Sequence, residues 1–512
     1  MSVQFGAIDL EGGQARLITG TDFDAVFEGL IGPVGEPESQ ALFHELFMPE
    51  VTRQAEDPGE KTTAHLGRRF PHLAVELGRF LDDENARVRP AALDQERGRG
   101  AGKGPAQDRD IIFRVHRRED DGLPPRETQS FQPEMIFRNG RLIFPDRIGE
   151  GLTLRVENGR ISAIDRAISP NDREEVIELA GNYLAPGLID LHVHGAVGRD
   201  TMEGTDEAFR AICDYHAGGG TTSLLLTTVT APIPEIVRVV RQIAAARTRI
   251  PGLRGVHIEG PFISAEKRGA QAAEFVIEPT AELAGQLLAL GPIMQRMTLA
   301  PELPGALDLI ASLTNAGIAA SGGHSNAWEE EAEAAFERGM RQVTHTFNCM
   351  SSLRRRAGER VGGLLEFALS EPEIFCELIA DGHHVGTTLM RMLYRAKGSS
   401  GIMLVSDATA GAGLPNESRF ELGGRQCLVR DGVCWVADGS ALAGSAARMI
   451  DLVRQMVERV KVPLPEAVRM ATETPARAMA WKNKGQLAIG CDADLVVLSP
   501  ELEVVSTYIS GN

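Results

Sequence analysis

Hydrophobic and polar positions change their rhythm twice along the chain. From Met135 they alternate in short runs, "MIFRNGRLIF", "LTLRVENGRISAID" and "EVIELAGNYLAP", around two Asn-Gly pairs. Period-two alternation with Asn-Gly turns predicts β-hairpins with one buried face. The same rhythm returns near the C-terminal end in "GQLAIGCDADLVVLSP" and "LEVVSTYISGN". The two segments flank everything between them and are expected to pair into one small β domain. Between them lie the short apolar runs "LIDLHV", "TSLLLTTVT", "RGVHIEG", "RMTLAPE", "IAASGGH", "QVTHTF", "CELIADG" and "IMLVSDA". Text of helical spacing separates them, as in "TDEAFRAICDYHA", "PEIVRVVRQIAAA", "ALDLIASLTNAG" and "AWEEEAEAAFERGM". Near-continuous apolar runs predict strands buried on both faces, and intervening helices predict parallel crossovers. Eight such units in about 290 residues are the count of a (β/α)8 barrel. A β-rich insertion near residues 418 to 440 follows the eighth strand, before "AARMIDLVRQMVERV" returns to helical spacing.

The expected class is therefore α/β: a TIM-like (β/α)8 barrel over residues 187–481, with a small β-sandwich from residues 133–186 plus 482–512. Residues 1–83 form an unassigned N-terminal region. Over residues 84–132, text such as "ARVRPAALDQERGRGAGKGPAQDRD" is rich in charge, Gly and Pro, which predicts a linker or disordered stretch. The first 130 residues carry no chemistry motif.

Composition narrows the partners. Of 512 residues, 43% are hydrophobic and 24% charged, as in a soluble globular protein. A formal net charge of -18 argues against nucleic acid or an anionic membrane as partner. An anionic substrate would need cations of its own. No run approaches the roughly 18 apolar residues of a membrane span, and "MSVQFGAIDLEGG" lacks the layout of a signal peptide. Six scattered cysteines without a CxxC pair fit a reducing cytoplasm.

Chemistry-bearing residues collect at the strand ends, where active sites of such barrels lie. "APGLIDLHVHG" ends in His192 and His194, which share one face of an extended strand. Other runs end in Glu259, His324, His345 and Asp407. One strand-end histidine alone reads as structural, but four imidazoles and two carboxylates on one rim read as a metal site. Nitrogen and oxygen donors without paired thiolates suit Zn²⁺, or Fe²⁺, Mn²⁺ or Co²⁺, and six donors suffice for one or two ions. Water on such an ion ionises near neutral pH. Asp407 would take that proton and return it to a leaving group, a hydrolase mechanism. His216, in helical text, and His257, two residues before Glu259, read as structural. Of His383 and His384 in "ADGHHV", one is expected to be functional. Arg354 to Arg356, in "FNCMSSLRRRAG", read equally as a phosphate or carboxylate site and as a solvated charge run. GxxxxGK[ST], HExxH and GxSxG are absent.

In one order, "PGLIDLHVHG", "HIEGPFIS…KRGAQ", "LAPE", "GGHSNA", "THTFNCM", "ADGHHV" and "VSDATAGAG" resemble the N-acetylglucosamine-6-phosphate deacetylases of the metal-dependent amidohydrolase superfamily. The resemblance covers residues from about 135 to 512. It implies hydrolysis of an amino-sugar phosphate to glucosamine 6-phosphate and acetate. By matched position, Glu259, His324 and His345 resemble the ligands of the ion found throughout the family. His192 and His194 resemble the pair that holds a second ion in some members, and Asp407 matches the acid/base. Ala270 and Gln271 match a substrate-contact pair. Asn348, Cys349, Arg356 and His384 match contacts to the sugar phosphate, and Leu442, Ala443 and Gly444 match a substrate loop. The resemblance picks Arg356 from the three arginines and implies a homodimer, because this arginine reaches the neighbouring site in the family. Gln271 stands where some members carry a histidine, and Cys349 replaces a usual alanine. The rival readings are an N-acetylgalactosamine-6-phosphate deacetylase, another amidohydrolase acting on a small cyclic amide, and a non-catalytic sugar-phosphate sensor. Many two-metal relatives bridge their ions with a lysine after strand four; here "LAPE" offers none, and Glu259 is the natural bridge. A sensor would have lost Asp407 or a metal histidine, and all are present.

Overall fold

Eight parallel strands follow one another round a single sheet in chain order. They are β1 (Leu188–Val193), β2 (Thr221–Thr228), β3 (Leu253–Glu259), β4 (Met294–Leu299), β5 (Ala319–Gly322), β6 (Gln342–Val343), β7 (Phe375–Leu378) and β8 (Ile402–Leu404). A parallel bridge between Val193 and Ala408 closes the ring, and Asp407 N donates to His192 O at 2.9 Å. The computed structural model describes residues 134–510 and four short strands before them. Of those four, Gly6–Glu11 pairs with Gln14–Thr19 and Arg87–Pro90 with Phe113–His116. The remainder of the expected N-terminal region and linker lies outside the described residues. The chain divides into the units Met1–Thr128 and Gln129–Asn512, and the site belongs to the second.

Helices α1 (Asp206–Ala217), α2 (Ile233–Ala246), α3 (Ala281–Leu288), α4 (Ala306–Asn315), α5 (Glu329–Glu337), α6 (Leu364–Ser370), α7 (Thr387–Lys397) and α8 (Met449–Gln455) follow the strands in turn. Their starts are written locally. Thr205 caps α1 by accepting from Ala208 N, with Asp206 and Glu207 in the first turn, both favourable at the positive helix end. The helix then buries Ala208, Phe209, Ile212, Cys213 and His216, spaced three and four apart as a core-facing stripe requires. Every residue of β2 is buried, as expected of a strand with a helix layer outside and a filled barrel inside. Part of that interior is polar: Thr227, His257, Arg296, Thr298, Ser321, Thr344 and Glu377 are all buried.

The flanking segments form two sheets. One has the order Glu175–Glu178, Met135–Arg138, Thr153–Glu157, Arg160–Asp165. The other runs Val504–Tyr508, Leu495–Leu498, Tyr183–Pro186, Arg141–Ile143, Ile148–Glu150. Phe137, Leu142, Leu154, Leu184, Leu495 and Val497 pack between them. One Asn-Gly pair behaves as expected: Asn158 (φ 51°) and Gly159 (φ 71°) turn a hairpin in which Glu157 faces Arg160. The other does not. Asn139-Gly140 joins strands that enter different sheets. Gly140 stays outside the left-handed region that a two-residue hairpin turn needs, and a Cβ there would lie 2.5 Å from the Leu179 side chain. The glycine serves a close crossing instead.

The insertion after β8 is a three-stranded antiparallel sheet, Arg419–Leu422, Arg425–Arg430 and Val433–Val436. It packs through Phe420, Cys427 and Cys434 against Val229 and Ala410. Among the described residues, no helix is long and apolar enough to cross a membrane.

Candidate active site

The six strand-end donors converge on one buried spot. His192 lies on β1 with His194 just beyond it; Glu259 ends β3; His324, His345 and Asp407 follow β5, β6 and β8 by two or three residues. His192 Nε2 is 3.2 Å from His194 Nε2 and 3.4 Å from Asp407 Oδ1. His194 Nε2 lies 3.2 Å from Glu259 Oε2 and 3.3 Å from Asp407 Oδ1. Glu259 Oε1 stands 3.3 Å from His324 Nε2 and 3.2 Å from His345 Nε2, and those two nitrogens are 3.0 Å apart. Two triads result, His192–His194–Glu259 and Glu259–His324–His345, each with donor atoms within 4.8 Å of one another. Glu259 belongs to both.

Whether a divalent ion fits can be read from the protons. His324 Nδ1 donates to Lys267 O at 2.8 Å, and His345 Nδ1 to Asn348 O at 3.2 Å. In a neutral ring the other nitrogen then carries a bare lone pair. Two such nitrogens and Glu259 Oε1, a buried oxygen with no hydrogen-bond donor, face each other across 3.0 to 3.3 Å. With both rings neutral, these converging lone pairs suit a cation. The electrostatics agree. Burial disfavours a charged ring at His192 and His194, but the carboxylates of Glu259 and Asp407 outweigh it, raising His192 well above the usual imidazole range and His194 to about 9. Burial likewise works against ionised Glu259 and Asp407, yet the facing imidazoles hold both below the usual carboxylate range. The cluster attracts positive charge.

The remaining expected residues fall in three groups. Gln271 joins the cluster: its Nε2 donates to Glu259 Oε2 at 2.7 Å while its Oε1 accepts from Thr230 N at 2.8 Å. Ala270, beside it, packs toward the insertion. On the loop after β6, Asn348 keeps a buried amide nitrogen without a partner. Cys349 is half-buried near His324; a Cβ built on Gly269 would come 2.6 Å from its Sγ and 3.7 Å from the His324 ring. The loop holding Leu442, Ala443 and Gly444 passes against Asp407, whose carbonyl accepts from Ser445 N at 2.8 Å. After β7, His384 Nδ1 is 2.7 Å from Asp381 Oδ2. Burial would lower this ring's pKa, but Asp381 raises it above the ordinary value, whereas His383 is exposed. Arg356 is the exception. It lies exposed on the arm Arg354–Arg356, paired with Glu359–Val361, where it contacts Glu330 and sits 4.7 Å above the Trp328 ring. The structure does not bring it to the cluster within one chain.

His257 and His216 stand outside the two triads: His257 Nε2 is 2.7 Å from Thr298 Oγ1, and His216 is buried on α1. Two charged residues under the cluster went unread in the sequence. Glu377 on β7 and Arg296 on β4 are fully buried and paired. Burial works to raise the Glu377 carboxyl, but Arg296 and then His192 hold it well below the usual range. The available signal was a lone charge inside each apolar run.

A closed (β/α)8 barrel with imidazole and carboxylate donors at its C-terminal rim defines a hydrolase of the metal-dependent type. Residues 183–512 match the amidohydrolase family model. N-acetylglucosamine-6-phosphate deacetylase from Lysinibacillus sphaericus is 33% identical over 381 residues, spanning 74% of this chain and 97% of that protein. The Homo sapiens enzyme of the same name is 35% identical over 407 residues, spanning 77% and 97%. The crystal structure of N-acetylglucosamine-6-phosphate deacetylase from Pasteurella multocida superposes with a TM-score of 0.70 at 30% identity, covering 74% of this chain and 98% of that one. The chain belongs to the amidohydrolase family, and a divalent metal is its cofactor.

Proposed function

We propose that the chain hydrolyses the N-acetyl group of N-acetylglucosamine 6-phosphate, giving glucosamine 6-phosphate and acetate. The observation that carries this reading is the pair of donor triads sharing Glu259 beside Asp407, in a chain whose deacetylase relatives it spans almost end to end. Glu259, His324 and His345 would hold one ion, and His192 and His194 with Glu259 a second. Bound there, an ion supplies Lewis acidity toward the amide carbonyl and a lowered pKa for water. Zn²⁺ suits the donor set, with Fe²⁺, Mn²⁺ and Co²⁺ as alternatives.

The protein's part is proton traffic and positioning. Asp407, ionised at neutral pH, takes a proton from the water whose oxygen bonds to the acetyl carbon. It returns that proton to the sugar nitrogen as the C–N bond breaks. The amide nitrogen of Asn348 and the ring of His384 offer donors to the sugar phosphate. Ala270, Gln271 and Cys349, with the Leu442–Gly444 loop, line the substrate's approach to the ions. We assign Arg356 to the phosphate site of a partner subunit in a homodimer. Its exposed arm, with Leu353 51% exposed beside it, supports that reading. Six free cysteines among the described residues support a reducing cytoplasm.

The test is acetate release from N-acetylglucosamine 6-phosphate, with N-acetylglucosamine run beside it under the same metal conditions. A preference of about a hundredfold for the phosphorylated sugar, or about 2.7 kcal/mol, is expected of charge-assisted phosphate contacts. Release from neither sugar would refute the assignment.

A further inference from the structure

One ion pair beneath the donors has no part in the mechanism above. Arg296 and Glu377 are each 0% exposed inside the barrel. Barrel interiors are ordinarily filled by branched apolar side chains, and a buried ion pair is weak as a stabiliser because desolvation offsets its attraction. Its geometry gives another reason for it. Glu377 Oε1 takes the Arg296 guanidinium, whose Nη2 also donates to Ser321 Oγ at 2.8 Å. Glu377 Oε2 faces the site, 3.3 Å from His192 Nδ1 and 2.9 Å from the backbone nitrogen of His345. The β6–β7 ladder itself covers only Gln342 with Phe375 and Val343 with Cys376. Beyond it the Glu377 side chain takes the His345 N–H, and the Glu377 carbonyl takes Thr346 N at 2.9 Å. His345 needs that support, because its φ of 29° is one that L-residues seldom adopt.

We propose that Glu377, braced by Arg296, is a positioning residue for both donor triads. It holds His192 with its proton on Nδ1, so that the bare Nε2 faces Glu259, His194 and Asp407. It also fixes the strained turn that presents His345. Glu259 joins the two triads at the mouth, and Glu377 joins them from beneath. This inference rests on the divalent-ion reading of the site.

The experiment is competition between the full chain and a chelator for Co²⁺ alone, using two double variants. Arg296→Met/Glu377→Leu removes both charges together, leaving no unpaired buried ion. Arg296→Met/Glu377→Gln also removes the pair but keeps an acceptor oxygen at His192 and His345. The Leu variant is expected to bind Co²⁺ about 10- to 100-fold more weakly, and the Gln variant within about threefold of wild type. The paramagnetically shifted, exchangeable N–H proton of His192 in the Co²⁺-loaded chain should be lost in the first and kept in the second. A merely structural role would shift the thermal midpoint and leave both readouts alone. Unchanged affinity in the Leu variant, or equal weakening in both, would overturn the inference. Where the Leu variant does not fold, Arg296→Met/Glu377→Met, which also removes the acceptor, takes its place: binding about 10- to 100-fold weaker with the Gln variant near wild type supports the inference, and unchanged affinity overturns it. A wild-type chain that takes up no Co²⁺ would refute the metal reading and this inference with it.

Discussion

His216 is expected to make the fold acid-labile, and the size of the effect follows from its surroundings. The residue is 0% exposed on α1. Its Nε2 lies 3.4 Å from Gly195 O, and its Nδ1 is buried with no partner. A second proton would therefore place charge on a nitrogen with no acceptor. Burial, reinforced by repulsion from Arg448 and only partly opposed by the Gly195 carbonyl, pushes the ring down from 6.5 to about 4. Above about pH 6.5 neither the folded nor the unfolded chain carries this proton, and stability from this source is complete. As pH falls toward 4 the unfolded chain alone takes it, so stability drops by about 1.4 kcal/mol per unit, about 3 kcal/mol in all. The measurement is urea unfolding of metal-stripped wild type and His216→Phe at pH 7.5 and pH 4.5. The variant loses its long contact to Gly195 O at both pH values, a pH-independent difference. The stability of wild type relative to the variant should fall by about 2 to 3 kcal/mol at the lower pH. Parallel pH profiles for the two chains would refute the reasoning, because they would mean that His216 is protonated in the folded state.

Four further outcomes are expected. Asp407→Asn should lower kcat by about 10²- to 10⁴-fold with metal content unchanged; wild-type turnover would remove Asp407 from the acid/base role. Glu259→Gln should empty both triads, read as metal per chain by elemental analysis, and a full complement in the variant would rule out a shared carboxylate. Arg356→Ala should reduce kcat/KM for the phosphorylated sugar by about 10- to 100-fold and spare the unphosphorylated one; an equal loss on both would mark a structural arginine. Gly444 has φ 64°, and a Cβ there would lie 2.6 Å from Asp407 O and 2.5 Å from Thr409 Cγ2. Gly444→Ala should therefore displace Asp407 and lower kcat by at least about tenfold while metal stays bound, and an unchanged kcat would show that the loop yields instead.

The barrel and its donors were legible because each donor interrupts an apolar run at its end, where the strand pattern stops. His192, His194, Glu259, His324, His345 and Asp407 all carry that mark. Arg296 and Glu377 also stand as lone charges in apolar runs, but within them. A strand buried on both faces shows no alternation to tell an inward residue from an outward one, so their pairing across β4 and β7 had no trace in either segment. Asn139-Gly140 read as a hairpin because the dipeptide is the same whether its glycine adopts a left-handed turn or yields to a close neighbour. Leu179, 40 residues away, decides between them. The motif pointed to Arg356, but its exposed arm and its contact with Glu330 depend on chain that the motif does not contain.

What no pattern conveyed is how the donors turn inward. His324, His345 and Asp407 have φ of 46°, 29° and 48°, a region that costs non-glycine residues of order 1 to 3 kcal/mol each. Each lies just past its strand, where continued extended backbone would alternate side chains between barrel and helix layers. A left-handed step breaks the alternation and lets residues from β5, β6 and β8 aim at one point. Such steps persist only where neighbours fix them on both sides, and here they do. His324 is held by Ser264 N on its carbonyl and Lys267 O on its ring; Asp407 by His192 O on its N–H and Ser445 N on its carbonyl; His345 by Glu377 on its N–H and Asn348 O on its ring. His192 and Glu377 lie on β1 and β7, Ser264 and Lys267 on the loop after β3, and Ser445 at the far end of the segment after β8; only Asn348 lies beside its own donor. The donor geometry is therefore a property of the whole rim, and changes in the loops that brace it should reach the chemistry before they reach global stability.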